Sequence, residues 1–364
     1  TSFVVDATSF TTKPMTGIPN YALKVSEAIL RAGEVEARFF TLGDPALFTL
    51  PEDRLHRLSW VERQARCLIA YRFFPPGRRA WFWCPFYSWP LGIERRARVV
   101  LTVHDMLYRT ALGDRREARF TPREKRFRAK FEDAIRRADR IVAVSGTTAD
   151  QVAGLFGIDR ESIPVAYPGL DRSVFSPVGA NRCRQAAEHY GIRDRFVLAL
   201  SSVSPRRNLE TLVRAFASVA PLFPDVDLVI AGSLSYAPEY ARKLQNLAAE
   251  TAPGRVVFPD YIRSEDLPVL YSGAELFVSA SFFEGFDMPV AEAMACGTPA
   301  AVSDIPVHRE VCGKNAAYFE PSDAESLSEI LEARLGREKT FPLFDPGRFS
   351  WEAGARVYID LIQT

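Results

Sequence analysis

Short apolar runs rich in β-branched and aromatic residues alternate along this chain with longer amphipathic stretches, and the rhythm occurs twice. In the first half the runs are Phe3–Thr8, Ala37–Leu42, Ala80–Cys84, Val99–His104, Arg140–Ser145 and Val165–Pro168. In the second they are Phe196–Ser202, Val226–Gly232, Val256–Asp260, Leu276–Ser281, Pro299–Ser303 and Ala317–Glu320. Most are separated by a helix-like segment of ten or more residues. Such spacing demands crossover helices, and hence parallel sheets covered on both faces. The expected class is α/β, built twice, which suits a chain of 364 residues that is 47% hydrophobic and so exceeds what one core usually serves.

The stretch Pro168–Ala180 (PGLDRSVFSPVGA), with two prolines and two glycines, is the linker candidate. Phe349–Gln363 opens with Ser350 as an N-cap and carries apolar Ala353, Val357, Ile359, Leu361 and Ile362, so it reads as a helix packed on a neighbour. No apolar run reaches the ~18 residues of a spanning helix, and the amino terminus opens with a strand-like Phe3-Val4-Val5 in place of a signal peptide. The five cysteines form no C-x-x-C pair and the four histidines have no zinc spacing, which points to reduced thiols in a cytoplasmic protein and to no metal site. A net charge of +1 removes a global case for nucleic acid, yet residues 1–175 carry 28 Lys+Arg against 20 Asp+Glu, and residues 176–364 carry 18 against 25. The basic first half (+8) suits an anionic partner; the second (−7) does not.

Ligands of open parallel sheets sit beyond the carboxyl ends of the strands, so chemistry is expected in those loops. The segment Phe282–Pro299 (FFEGFDMPVAEAMACGTP) follows the run LFVSAS, and Pro289 suits a first helical turn. The helix would present its amide dipoles to the loop Glu284–Met288, a cradle for phosphate. Glu284 and Glu292 can flank such an anion and accept sugar hydroxyls; the plainer reading is a solvated loop acid and an acid that complements the helix dipole. Gly285 and Gly297 favour close approach of a ligand to the backbone. In Leu200–Leu209 (LSSVSPRRNL), Asn208 reads as an N-cap, and Arg206 and Arg207 stand where cations oppose the dipole unless an anion lies between. Adjacent guanidinium groups suit a diphosphate; otherwise they are solvated surface arginines. Loop and helix placement put Arg207 and Glu284 at opposite ends of a bound ligand.

Weaker signals accompany these. Val103-His104-Asp105 ends an apolar strand, where His104 either meets a ligand or is hydrogen-bonded locally. Gly17, in the turn Thr16–Asn20, permits close approach. Asp225-Val226-Asp227 imitates a metal-binding D-x-D but stands where a strand begins, and reads as a solvated turn. Trp60–Trp89 holds four of the five tryptophans, and its PFYSWP end is a candidate acceptor or lipid-headgroup surface. Asp114–Arg140 carries eleven Lys+Arg and six Asp+Glu, with Phe120, Phe127, Phe131 and Ile135 on one helical face. It is either a solvated face or one attracted to anionic lipid or a polyprenyl diphosphate.

The succession HD, RIVAVS, VAYPGLDRSVF, SVSPRRNLETLVRAF and FFEGFDMPVAEAMACGTPAAVSD resembles glycosyltransferase family 4, retaining nucleotide-sugar transferases of GT-B fold, over nearly the whole chain. Its central signature, two glutamates separated by seven residues, is matched by Glu284 and Glu292. The resemblance implies two Rossmann-like domains whose parallel sheets face an interdomain cleft. These are an acceptor domain over residues 1–175 and a donor domain over 176–346, with a helix over 347–364 returning to the first. It further implies that Glu284 binds donor-sugar hydroxyls, Glu292 the ribose, and the loop residues Gly285, Phe286, Asp287 and Met288 the donor sugar or diphosphate. Arg207, at the family's usual lysine, would contact the diphosphate with Arg206 beside it; His104 would approach the donor sugar, and Gly17 would let its loop come near. Three departures stand out: Ser202 replaces a common arginine, Pro19 interrupts the glycine-rich turn, and Asp287 replaces the commoner glycine.

The expected reaction is metal-independent transfer of a hexose, with retention, from a nucleoside diphosphate sugar to a saccharide or polyprenyl-diphosphate-linked acceptor. The EGFDMP and SPRRN variants look most like users of GDP-mannose in bacterial surface polysaccharide assembly. A UDP-sugar donor, a nucleotide-sugar epimerase of the same fold and a non-enzymatic nucleotide-sugar binding protein are the alternatives. No cofactor beyond the donor substrate and no nucleic-acid partner is expected. The expected location is cytoplasmic, or peripheral on the inner face of the membrane.

Overall fold

The computed structural model describes residues 2–7, 17–41, 50–57, 80–87, 93–109, 121–337 and 344–364. The chain divides into two compact units, Thr1–Gly169 with Phe349–Thr364, and Leu170–Arg348. In the first unit the elements are β1 (Ser2–Ala7), α1 (Ile18–Ala32), β2 (Glu36–Thr41), β3 (Leu55–Arg57), β4 (Ala80–Cys84), β5 (Ala97–Val103), α2 (Pro122–Arg137), β6 (Arg140–Ala143) and α3 (Gly146–Phe156). In the second they are α4 (Ala180–His189), β7 (Arg195–Leu200), α5 (Leu209–Val219), β8 (Val226–Ala231), α6 (Pro238–Thr251), β9 (Val256–Val257), α7 (Leu267–Gly273), β10 (Leu276–Ser279), α8 (Met288–Ala295), β11 (Ala300–Ser303), α9 (Pro306–Cys312), β12 (Ala316–Phe319) and α10 (Ala324–Leu335). The chain then returns to the first unit as α11 (Trp351–Gln363).

The first sheet runs β3-β2-β1-β4-β5-β6, every pair parallel. All five residues of β4 (AWFWC) are buried, as a strand covered on both faces requires. α11 is fastened to this sheet by buried hydroxyls. Tyr358 Oη lies 2.6 Å from Thr102 Oγ1 and 3.0 Å from Tyr21 Oη, and Trp83 Nε1 donates to Thr102 Oγ1 at 2.8 Å. Each buried polar group thereby finds a partner. Gly169, the last residue of the first stretch of this unit, lies hard against α11: a Cβ there would meet Trp351 N at 2.3 Å.

Two departures from the expected strands have local causes. The run Val165–Pro168 is not a strand but a single bridge, Val165 to Ala143, because prolines at both ends leave room for only two ladder bonds. β3, which pairs with β2, carries no apolar alternation that would have announced it.

The second sheet runs β12-β11-β10-β7-β8-β9, again all parallel. Phe216, Leu228, Leu244, Phe319 and Leu331 lie in its core. β9 stops at Val257, short of the expected Asp260, since Pro259 has no N–H for a ladder and Asp260 has φ 58. The Asp225-Val226-Asp227 stretch is not a solvated turn. Asp227 is buried on β8 with Arg193 and Arg255 at 3.5 and 3.6 Å, and exposed Asp225 pairs with Arg195 at 2.8 Å. β11, β10 and β7 are neighbours, so the loops at their carboxyl ends emerge side by side.

Candidate functional site

After β7 the chain makes one 3-10 turn, Pro205–Arg207, and enters α5 through Asn208 at φ 52. Asn208 occupies the N-cap position of α5, but its side chain makes no capping bond there. Its backbone is left-handed, where an N-cap is usually extended, and its amide donates to Ala280 O at 3.0 Å and Pro321 O at 2.5 Å. These bonds, with Phe282 N donating to Arg206 O at 2.9 Å, sew the loop after β7 to the loop after β10.

In the second of these loops Glu284 is buried, 6% exposed, and accepts from Arg206 Nη1 at 3.0 Å, from Arg207 Nη1, and from Ser281 Oγ at 2.7 Å. Glu284 and Arg207 are therefore in direct contact, not at opposite ends of a site. A carboxylate out of water needs its cations, and the seam between the loops supplies two. Arg207 is 13% exposed, and among the described residues its buried Nε and the buried Ser204 Oγ have no hydrogen-bond partner.

Asp287 stands at φ 70 immediately before α8, whose first turn holds Pro289. The family's commoner glycine takes this conformation without strain. Here the aspartate is held instead by its carboxylate: Ser279 Oγ donates at 2.6 Å, His308 Nε2 lies at 3.0 Å and Arg207 Nη1 at 3.7 Å. Burial pushes its pKa up, but the hydrogen bond from His308 and the charges of Arg207 and His308 outweigh this and hold the carboxyl below its ordinary value. Phe286 is buried, while Gly285 and Met288 are half-buried. Glu292, on α8, accepts from Tyr271 Oη at 2.9 Å. Its pKa is pushed up to about 7 by burial, with the Asp287 charge adding and the Tyr271 hydrogen bond opposing.

His308 escaped the sequence reading. It lies on α9 after β11, fully buried, with Nδ1 2.8 Å from Ser303 O. The rule that placed chemistry at the carboxyl ends of β7 and β10 applies equally to β11, the next strand, and would have found it.

The second unit thus brings together Arg206, Arg207, Glu284 and Asp287, with Glu292 one helical turn on. His104 and Gly17 belong to the first unit. Partly buried His104 has Nε2 2.9 Å from Pro85 O and its ring edge-on to Tyr21 at 5.1 Å. Burial lowers its pKa to about 4, against the bond to Pro85. Gly17 has φ 61 and precedes α1, where Pro19 fits the first helical turn.

The apolar face of α2 is occupied. Phe127 and Phe131 meet the Tyr87 ring edge-on at 5.1 and 4.9 Å, so this stripe packs inside the first unit while Lys125, Arg126 and Lys130 remain outside it on the helix. Tyr87 is half-buried and takes part in this packing. Phe120, Trp60 and most of the aromatic stretch lie outside the described residues. Among the described residues no His, Cys, Asp and Glu group is arranged to hold a metal ion, and no helix is long and apolar enough to cross a membrane.

Comparison with known proteins bears on both units. A family model described as "Glycosyl transferases group 1" matches residues 186–340, and one described as "Glycosyltransferase Family 4" matches residues 15–174. The chain belongs to this glycosyltransferase family. The family 4 chain is 25% identical over 377 aligned residues to O-antigen chain mannosyltransferase B of Escherichia coli, covering 96% of each protein. It is 31% identical over 243 residues to the serotype-specific mannosyltransferase WbdA of Escherichia coli, covering 64% of this chain but only 29% of that enzyme. Among solved structures it resembles Anabaena Alr3699/HepE in complex with UDP-glucose, with a TM-score of 0.70, 16% identity, and coverage of 99% of this chain and 94% of that one. The fold of this glycosyltransferase is GT-B.

Proposed function

We propose that the protein transfers a hexose, with retention, from a nucleoside diphosphate sugar to a saccharide or polyprenyl-diphosphate-linked acceptor in bacterial surface polysaccharide assembly. GDP-mannose is the favoured donor. The observation that carries this reading is the guanidinium of Arg207, nearly buried at the carboxyl edge of a parallel sheet with an Nε that has no partner among the described residues. An N–H so placed is expensive unless an anion takes it, and a diphosphate at the start of α8 would also meet the helix dipole. The names of the mannosyltransferase relatives support the sugar and the pathway.

On this reading the diphosphate displaces Glu284 from the two arginines. Arg206 and Arg207 then neutralise charge on the leaving phosphate, while Glu284 turns to the hydroxyls of the sugar and Glu292 to those of the ribose. The acceptor oxygen bonds to the anomeric carbon as the bond from that carbon to the β-phosphate oxygen breaks, and the acceptor proton passes to that departing oxygen. Arginines and helix dipole replace a metal, so turnover should survive EDTA; restoration by Mg or Mn after loss would refute it. With the apolar stripe of α2 occupied, attraction to an anionic acceptor or membrane is electrostatic. Rising salt should then weaken acceptor use more than donor binding.

A UDP-sugar donor is the second reading, favoured by the UDP-glucose bound in the Anabaena neighbour. Incubation with GDP-mannose, UDP-glucose and other nucleotide sugars, with and without lipid-linked extract, tests both. Consumption of donor that requires acceptor supports transfer. Release of epimer or free sugar without acceptor supports an epimerase, and binding with no turnover supports a carrier.

A further inference from the structure

The geometry points to His308 as a positioning residue, one that keeps Arg207 available for an anionic ligand by satisfying Asp287 from behind. This rests on the proposed nucleotide-sugar site. Asp287 lies between two basic side chains, with Oδ2 3.0 Å from His308 Nε2 and Oδ1 3.7 Å from Arg207 Nη1. Arg207 in turn lies between two carboxylates, Glu284 and Asp287. How strongly Asp287 competes for Arg207 depends on what else holds its charge.

The hydrogen bonds around His308 say what it supplies. Nδ1 faces the carbonyl of Ser303, which can only accept. It also lies 3.2 Å from Ser303 Oγ, but that hydroxyl gives its own hydrogen to Ser281 O at 2.5 Å and so can only accept as well. Nε2 faces an ionised carboxylate, again an acceptor. A neutral imidazole has one N–H for these two directions; the imidazolium has both. Against an ionised Asp287, only a ring carrying both N–H groups makes the two contacts hydrogen bonds, and such a ring stands fully buried opposite the carboxylate. With His308 in place, the Asp287 charge is balanced from the α9 side and Arg207 needs only to exchange Glu284 for a ligand. Without it, the buried Asp287 carboxylate would draw Arg207 inward as its remaining cation, because a buried charge is costly when unpaired.

Four variants test this: His308→Leu, His308→Gln, Asp287→Asn and the double variant Asp287→Asn/His308→Leu. Calorimetry with GDP, UDP and inorganic pyrophosphate reads the availability of Arg207, and thermal melting reads the fold. His308→Leu should weaken binding by about tenfold, the size of one lost charge-assisted bond, raising the KM of the working donor more than it lowers kcat. His308→Gln, which keeps an N–H for Asp287, should recover most of that loss. The double variant should bind better than His308→Leu alone, because the Asp287→Asn change leaves a neutral amide that no longer competes for Arg207. A merely structural histidine would not be rescued by a second substitution. If His308→Leu does not fold, His308→Ala with and without Asp287→Asn makes the same comparison. Wild-type protein that binds the nucleotides, beside a folded His308→Leu or His308→Ala that binds them equally well or a double variant no better than that single one, overturns the inference. Wild-type protein that binds none of the three probes removes the site reading itself, and the inference with it.

Discussion

Tyr271, fully buried on α7, donates its hydroxyl hydrogen to Glu292 Oε2 over 2.9 Å. The bond favours the carboxylate, yet burial dominates and the pKa stands at about 7 against an ordinary 4.5. A ribose hydroxyl needs the ionised form as its acceptor, so affinity for nucleoside diphosphate should rise as pH rises through about 7. Tyr271→Phe should move that rise to higher pH. Calorimetry against pH, with a 2′,3′-dideoxynucleoside diphosphate as control for titration of the phosphate, reads it directly; a rise equal for both ligands excludes Glu292. The stability term has the opposite sign. The folded state holds this proton more tightly than the unfolded chain, so stability falls as pH climbs from 4.5 to about 7.

Glu284 holds both arginines in the free protein, and its removal should act differently on binding and on transfer. Glu284→Gln keeps the shape but removes the carboxylate charge shared by Arg206 and Arg207, while Asp287 stays near Arg207. Nucleoside diphosphate should then bind as tightly as in the parent or more tightly, and should raise the melting temperature more. Transfer should fall by about tenfold to a hundredfold, the worth of a charged hydrogen bond of about 1.5–3 kcal/mol expressed in the transition state. Loss of nucleotide affinity in Glu284→Gln would contradict the exchange of Glu284 for diphosphate.

Asn208 combines a left-handed backbone with an amide that ties the loops after β7 and β10 and also reaches Pro321. Asn208→Ala loses both bonds and strains the backbone, and should cost about 2–4 kcal/mol in urea unfolding. Asn208→Gly relieves the strain and loses only the bonds, so it should be the milder change. Equal losses for the two would mean that the backbone conformation contributes nothing.

What could be read in advance was whatever one segment carries by itself. The run LFVSAS, the loop with Glu284 and the proline that opens α8 lie in one stretch, so strand, loop and helix could be placed from local rules. Contacts across the fold could not. Arg207 meets Glu284 across 77 residues, and Asp287 meets His308 across 21, because β7, β10 and β11 lie side by side. Apolar periodicity indicates that parallel strands exist, but not their order. Asn208 does stand at the N-cap position, but the use of its side chain was not legible for a related reason: asparagine is common both as an N-cap and in the left-handed region. Its amide partners, Ala280 and Pro321, lie far off in the chain.

His104 offers a last test, within the first unit alone. A carbonyl accepts and cannot donate, so the contact of Nε2 with Pro85 O fixes the proton on Nε2 and leaves Nδ1 as a lone-pair acceptor in the neutral ring. Burial lowers the pKa to about 4 from an ordinary 6.5, so the neutral ring persists across the pH range in which the protein would work. His104 should therefore contribute no limb to an activity profile between about pH 5 and 8, and a substrate hydroxyl meeting it would donate to Nδ1. Nitrogen-15 chemical shifts of the ring should report the Nε2–H tautomer and no titration until the pH approaches about 4. Because the folded state disfavours the proton, the stability associated with His104 is complete above pH 6.5 and is lost as pH falls from 6.5 towards 4. Replacement by Asn should flatten that part of the stability curve. A histidine that titrates near its ordinary 6.5 would contradict the effect of burial, and a ring carrying its proton on Nδ1 would show that the Pro85 contact does not set the tautomer.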